Sequence, residues 1–188
     1  MSDHGQMNIE RVMCLNVKLA EAGFITGDTV FENWKAYVKS VGMSAHVYVR
    51  DKADEPAVKA LLDGLLAEEV YGISAVFTRE EVKERFHLDG DFAFVVETDG
   101  FTSFGDDWKR PLMRPFDRTD YRHGRATHGY LPHKGPQPIF VAMGPHVKQG
   151  VVIEKGQLIQ GAPTMAAFLG IDLPQSQGEA WTEIVKKD

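Results

Sequence analysis

The sequence has one cysteine, Cys14, in 188 residues. No internal disulfide can form, which suits a reducing compartment, and the expected location is cytoplasmic. No apolar run approaches the roughly 18 residues that a membrane-spanning helix needs. Positive charge is not in excess: 21 Lys and Arg stand against 27 Asp and Glu, a net charge of −6. Duplex nucleic acid is not an expected partner, because affinity for it rests on neutralising phosphates. There is no internal repeat and no low-complexity stretch. H-E-x-x-H, C-x-x-C, G-x-S-x-G, the P-loop and G-x-G-x-x-G are all missing, so no self-contained motif for zinc, acyl transfer or a nucleotide can be read off. What is present is the composition of a globular protein, 43% hydrophobic and 26% charged. Its length suits one domain, or one with a small extra lobe.

Hydrophobic periodicity predicts the elements. "NIERVMCLNVKLAEAG" reads as a helix, with Ile9, Val12, Met13, Val17 and Ala20 on one face and Gly23 as its stop. Cys14 then lies on an apolar helix face as an inert core thiol. "SAHVYVR" (44–50), "ISAVF" (73–77) and "DFAFVVET" (91–98) read as strands. Between them stand two helices. One carries the stripe Val58, Leu61, Leu62, Leu65, Leu66 and Val70 behind Pro56; the other, "TREEVKERF", has Thr78 and Glu81 spaced as a capping box. Residues 44–98 thus alternate β-α-β-α-β. Residues 99–138 lack periodicity but are rich in Gly, Pro, Arg, Asp, His and aromatics, as functional loops often are. "IFVAMGP" reads as a short buried strand, "GVVIEKGQLI" as one or two short strands, and "APTMAAFLG" as a helix stopped by Gly170. The expected class is α/β, with helices on both sides of a mixed sheet.

The residues with chemistry to offer are few. The chain opens "MSDHGQMN". Either Ser2 or Asp3 caps a helix starting near Asn8 and His4 is a surface residue, or Asp3 and His4 bind a metal on a loop kept tight by Gly5. Carboxylate oxygen and imidazole nitrogen together suit zinc and similar ions. Four of the seven histidines, His123, His128, His133 and His146, fall within 24 positions. Clustering alone does not say which of them binds rather than capping backbone. Thr127 and Ser44 have no flanking pattern that would activate them as nucleophiles.

The order of three motifs carries a resemblance. "SDHGQ" followed by the expected helix, then "THGYLPHKGPQPIFVAMGPHVKQG", then "GAPTMAAFLGIDLPQSQG" resembles the C-terminal part of the type I phosphodiesterase/nucleotide pyrophosphatase family, within the alkaline phosphatase superfamily. The resemblance covers about residues 1–25 and 120–180. It implies a hydrolase of phosphoric ester or anhydride bonds, with two divalent metals, usually zinc, and a Thr or Ser nucleophile between them in a two-metal clamp. By this resemblance Asp3 and His4 match the pair that binds the metal next to the nucleophile. His128 matches the late His that completes the other metal's shell, and Gly129 keeps its loop tight. His123 and His133 match nothing. Gly161 stands where relatives often carry an acidic residue.

The nucleophile and the remaining ligands of the family have no match in this chain. The expectation is therefore a C-terminal part of such a hydrolase, truncated, with Met1 an internal methionine. As this chain alone it is expected to be inactive and to bind metal weakly or not at all. The implied architecture is the remnant of an alkaline-phosphatase-like sandwich formed by residues 1–43 and 99–188. Residues 44–98 form a cap lobe, and the loop 99–126, with Phe101, Phe104, Trp108, Phe116 and Tyr121, packs between cap and core. The substrate of the parent is a small phosphoester, and the uncovered surface around residues 1–20 and 139–143 leads to a homo-oligomer. The competing expectation is a non-catalytic α/β binding or interaction module whose metal residues are relics.

Overall fold

The computed structural model describes residues 1–29, 32–119 and 124–186; Tyr121 and His123 lie outside the described residues. The chain forms two compact units, Ser2–Pro138 and Ile139–Asp188, the second also taking Met1. The protein is mixed α/β, with several sheets and four α-helices among the described residues.

In the larger unit β1 (Met7–Asn8) and β2 (Arg11–Met13) precede α1 (Leu15–Glu21). The short β3 (Ile25–Thr26) and β4 (Asn33–Trp34) pair with each other. Next come β5 (Ala36–Ser40), β6 (Ser44–Val49), α2 (Glu55–Ala67), β7 (Ile73–Thr78), α3 (Arg79–Phe86) and β8 (Phe94–Thr98). The unit continues through β9 (Thr102–Phe104), β10 (Met113–Pro115) and β11 (Ala126–Thr127). The principal sheet has the order β5-β6-β8-β7 and is antiparallel throughout, not mixed as expected. Parallel pairing occurs in a smaller sheet, β10-β2-β9, between β2 and β9. Residues 44–98 supply three strands of the principal sheet and β5 supplies the fourth, so this segment lies inside the larger unit.

Strand alternation assigns the two faces. Ala36, Val38, Ala45, Val47, Phe94 and Val96 join Leu15 and Leu19 of α1 and Val58, Leu62 and Leu65 of α2 in one buried cluster. On the opposite face Phe77 and Val95 pack with Phe92 and with Val82 of α3. Helices therefore cover both faces, as the sequence predicts. Each fully buried Val or Leu of α2 is worth about 1.5–3 kcal/mol of transfer free energy. A bulge between Ile73 and Ala75 shifts the register of β7, which puts Ile73 on the same face as Val76 despite their odd spacing. Phe104 is buried in the principal cluster and Trp108 packs against it, whereas Phe101 is exposed.

The first expected helix divides. Residues 11–13 are a strand, because β2 finds ladders on both sides, β9 and β10, and this pairing overrides the helical spacing of Ile9, Val12 and Met13. Helix α1 starts only at Leu15, so the helix that Ser2 or Asp3 was expected to cap does not exist. Cys14 is the buried residue just before α1, and burial and then Asp107 push its thiol pKa up. Helix α3 begins as predicted. Thr78 Oγ1 accepts the Glu81 N–H at 3.2 Å, and Glu81 Oε2 accepts the Thr78 N–H at 2.7 Å. Beyond its end Asp89 accepts from Lys83 at 2.6 Å and Arg79 at 2.9 Å, which hold its carboxyl at about 2. The pairing should hold above the ordinary value of 3.8 and be lost as pH falls through about 2. A carboxyl NMR titration should give that low midpoint, and Lys83→Ala should move it up towards 3.8.

In the unit Ile139–Asp188, α4 (Gly161–Leu169) forms as predicted and Gly170 ends it at φ 66°. "IFVAMGP" and "GVVIEKGQLI" are not strands. The first is not buried either: Ile139, Val141 and Met143 are exposed, because no described segment offers it a ladder. The unit is held locally. Thr164 Oγ1 donates to Gln160 O at 2.6 Å and accepts the Trp181 N–H at 2.9 Å, while Phe140 meets the Trp181 ring edge-on at 5.0 Å.

Candidate metal site

The site grows from the pairing of β1 with β11, in which Met7 faces Thr127 and Asn8 faces Ala126 in antiparallel register. Continued one step, that register sets Gln6 opposite His128, so His4 lies on the diagonal from His128 and on the same side. The rings indeed stack, centroids 3.9 Å apart and planes 12° from parallel. Asp3 lies beside them: its Oδ2 is 3.4 Å from His4 Nε2, and its Oδ1 accepts the His4 N–H at 3.1 Å. His4 Nδ1 is 3.0 Å from Gly5 O. With the proton on Nδ1 that contact is a hydrogen bond, and Nε2 is left as the lone pair facing the carboxylate. The structure thus brings together Asp3, His4 and His128, which the sequence separates by more than 120 positions.

Three attachments hold the His128 loop. Met43 N–H, at the β5–β6 turn, donates to His128 O at 2.8 Å. Gly129 follows at φ +90°, where a Cβ would sit 2.0 Å from Val41 O. Further on, Gly5 is pressed so closely on Pro136 that a Cβ there would lie 1.8 Å from Pro136 O, the same oxygen that accepts from Tyr130 OH at 2.8 Å. The third attachment is one that sequence reading missed. Glu97 is only 1% exposed in β8. Its Oε1 accepts the Leu131 N–H at 3.0 Å and pairs with Lys134 Nζ at 3.3 Å, and Lys134 also donates to Ser74 Oγ at 2.6 Å. Burial pushes the Glu97 carboxyl up, against the lowering by Leu131 N–H and Lys134. The available signal was a carboxylate inside the apolar run "FAFVVET", which needs a buried partner.

The other described histidines are not part of this group. His133 is exposed and sits close enough to Glu97 to lower its pKa, and His146 belongs to the other unit. His46 packs against Phe92 at 4.5 Å, and burial lowers its pKa. Thr127 lines a cleft of about 610 Å³ together with Val12, Ser103, Arg114 and Phe116. Val12, Ser103 and Arg114 form one cross-strand row along its floor.

The donor set can be tested against the implied metals. Two ligands of a tetrahedral zinc with bonds of about 2.0–2.1 Å stand about 3.3 Å apart. The 3.4 Å between Asp3 Oδ2 and His4 Nε2 fits that edge. Among the described residues, no three or more His, Cys, Asp or Glu side chains are grouped to hold one ion. Asp3 and His4 thus fit two neighbouring positions of one metal shell. No protein-family model matches the chain, and no curated protein matches it significantly.

Proposed function

We propose that this chain is the C-terminal part of a two-metal hydrolase resembling the type I phosphodiesterases and nucleotide pyrophosphatases. Asp3 and His4 hold the metal beside the nucleophile, and His128 completes the shell of the second. The observation that carries this reading is the His4–His128 stack, 3.9 Å between centroids. Ions in two-metal sites lie about 3.5–4 Å apart, so neighbouring imidazoles at this spacing suit two adjacent ions better than one shared ion. When bound, the metals would supply charge stabilisation for the phosphoryl oxygens.

The chain's own part is orientation. The Gly5 carbonyl fixes the His4 ring, the Glu97–Leu131–Lys134 cluster fixes the His128 loop, and the adjoining cleft leaves room for a small phosphoester. The nucleophile and the remaining ligands come from outside these 188 residues. Such supporting partners are what make metal ligands competent.

The test is hydrolysis of bis(p-nitrophenyl) phosphate with zinc or manganese. The chain alone should show no turnover. Together with a polypeptide carrying the nucleophile and the other ligands it should turn over, and Asp3→Ala, His4→Ala or His128→Ala should lower that rate on the order of 10³-fold, several kcal/mol of transition-state stabilisation. Robust turnover by the chain alone, abolished in His128→Ala, would show the site to be complete here and overturn the division. If the complemented protein is inactive while the chain remains folded, the non-catalytic module is the better reading.

A further inference from the structure

The pairing that brings Asp3 and His4 to His128 is short. β1 and β11 share two residue pairs, and the ladder ends at Met7. Outside that ladder, no backbone hydrogen bond ties residues 3–6 to another described segment. Two pairs alone are a marginal constraint. A further hold is needed for the His4 ring to lie on His128.

Tyr130 stands where that hold is needed. Its hydroxyl donates to Pro136 O at 2.8 Å. Gly5 lies against both partners of this bond: a Cβ there would be 1.8 Å from Pro136 O and 2.7 Å from the Tyr130 hydroxyl oxygen. The ring makes a second approach. A Cβ on Gly135 would be 2.6 Å from Tyr130 Cε2 and 2.5 Å from Met7 Sδ, so ring edge and sulfur meet over that glycine, a favourable pairing. Tyr130 thus reaches the stretch 3–7 on both sides of Gln6. Its own base is fixed. Gly129 before it is pressed on Val41 O, and the N–H of Leu131 after it donates to buried Glu97. The far end of the loop is closed too, because Gln137 Nε2 donates to Gly135 O at 2.8 Å and to Pro132 O. A side chain locked in this way by its surroundings can set the geometry of its neighbours.

We propose that Tyr130 is the positioning residue of the candidate site: its hydroxyl and Pro136 O form a seat for Gly5, and that seat sets the His4 ring on His128. Its part in metal binding rests on the two-metal reading; the seat itself does not. Tyr130 contacts no metal and no substrate, and acts through Gly5 and His4.

The test is histidine ring-proton NMR of the metal-free full chain, followed by zinc addition. Tyr130→Phe keeps the ring and removes only the hydroxyl. The ring-current shifts of His4 and His128 should shrink towards the values of unstacked imidazoles. The zinc concentration that moves both rings should rise roughly three- to tenfold, the worth of one hydrogen bond. His46, which packs against Phe92 at 4.5 Å, is the internal reference and should keep its shifts. Tyr71→Phe removes a hydroxyl bonded to Glu68 at the surface and should leave all three histidines as they are. Unchanged His4 and His128 shifts in Tyr130→Phe would overturn the seat. So would a loss that His46 shares, since that marks general loosening rather than positioning. A native chain in which zinc moves neither ring, but in which Tyr130→Phe unstacks His4 from His128, would uphold the seat and overturn the two-metal reading.

Discussion

Replacing Glu97 with alanine should destabilise the larger unit by roughly 2–4 kcal/mol. The Glu97 carboxylate is the shared acceptor for the Leu131 N–H and the Lys134 ammonium. Without it the amide loses its partner and the ammonium loses its counter-charge. The cost stays below that of a wholly buried pair, because the Lys134 side chain keeps 24% of its exposure. The damage should extend to the candidate site, since His128 lies three residues before Leu131 in the same loop. In Glu97→Ala the ring-current shifts of the His4 and His128 ring protons, which report their stacking, should shrink. Glu97→Gln keeps the volume and an acceptor and should retain most of those shifts. The pH dependence has a definite sign. Burial raises the Glu97 pKa above its ordinary 4.5, so the protonated form is the better tolerated one. Its contribution to stability is full below 4.5 and declines as pH rises through the raised value. Urea denaturation across that range should show the decline in the native chain, and Glu97→Gln should remove it.

Asn16→Ala should cost more, about 3–5 kcal/mol, because three hydrogen bonds of one fully buried side chain end together. Strand β5 is an edge of the principal sheet. On its outer side the Val38 N–H donates to Asn16 Oδ1 at 2.7 Å, and Asn16 Nδ2 donates to Val38 O at 2.8 Å and to Asp106 O at 3.0 Å. The amide thus takes the place of a neighbouring strand and closes the edge. Alanine leaves one amide and two carbonyls without partners in a fully buried position. Asn16→Asp should be no better, since its second oxygen would face the two carbonyl oxygens that Nδ2 now serves. A denaturation midpoint within 0.5 kcal/mol-equivalent of the native chain, taking surface substitutions as the roughly ±0.5 kcal/mol reference, would refute this account of the edge.

Some of this architecture was legible in the sequence. The stripe of α2 and the capping box of α3 are local signals, decided within one or two turns of chain, and both elements form where expected. Residues 11–13 were misread because their spacing satisfies a helix as well as a strand, and only the distant β9 and β10 decide between them. The antiparallel sheet was misread for a related reason: β-α-β order does not fix strand direction, and β8 enters between β6 and β7. "IFVAMGP" has the composition of a buried strand, but burial requires a neighbour that composition cannot supply. Asp3, His4 and His128 were found through motif order and not through spacing. Of the partners that place them, Glu97 shows in the sequence only as a carboxylate inside an apolar run, and Lys134 carries no short-range signal.

The central claim is that Asp3, His4 and His128 belong to one two-metal site. Side-chain nitrogen NMR of the histidines during a zinc titration tests it most directly. With only part of each shell proposed to come from this chain, the account predicts weak binding. His4 and His128 nitrogens should move together over one range of zinc concentration, while His133 and His146 stay in place. Movement of His133 or His146 with His4 and His128 unchanged would contradict the account.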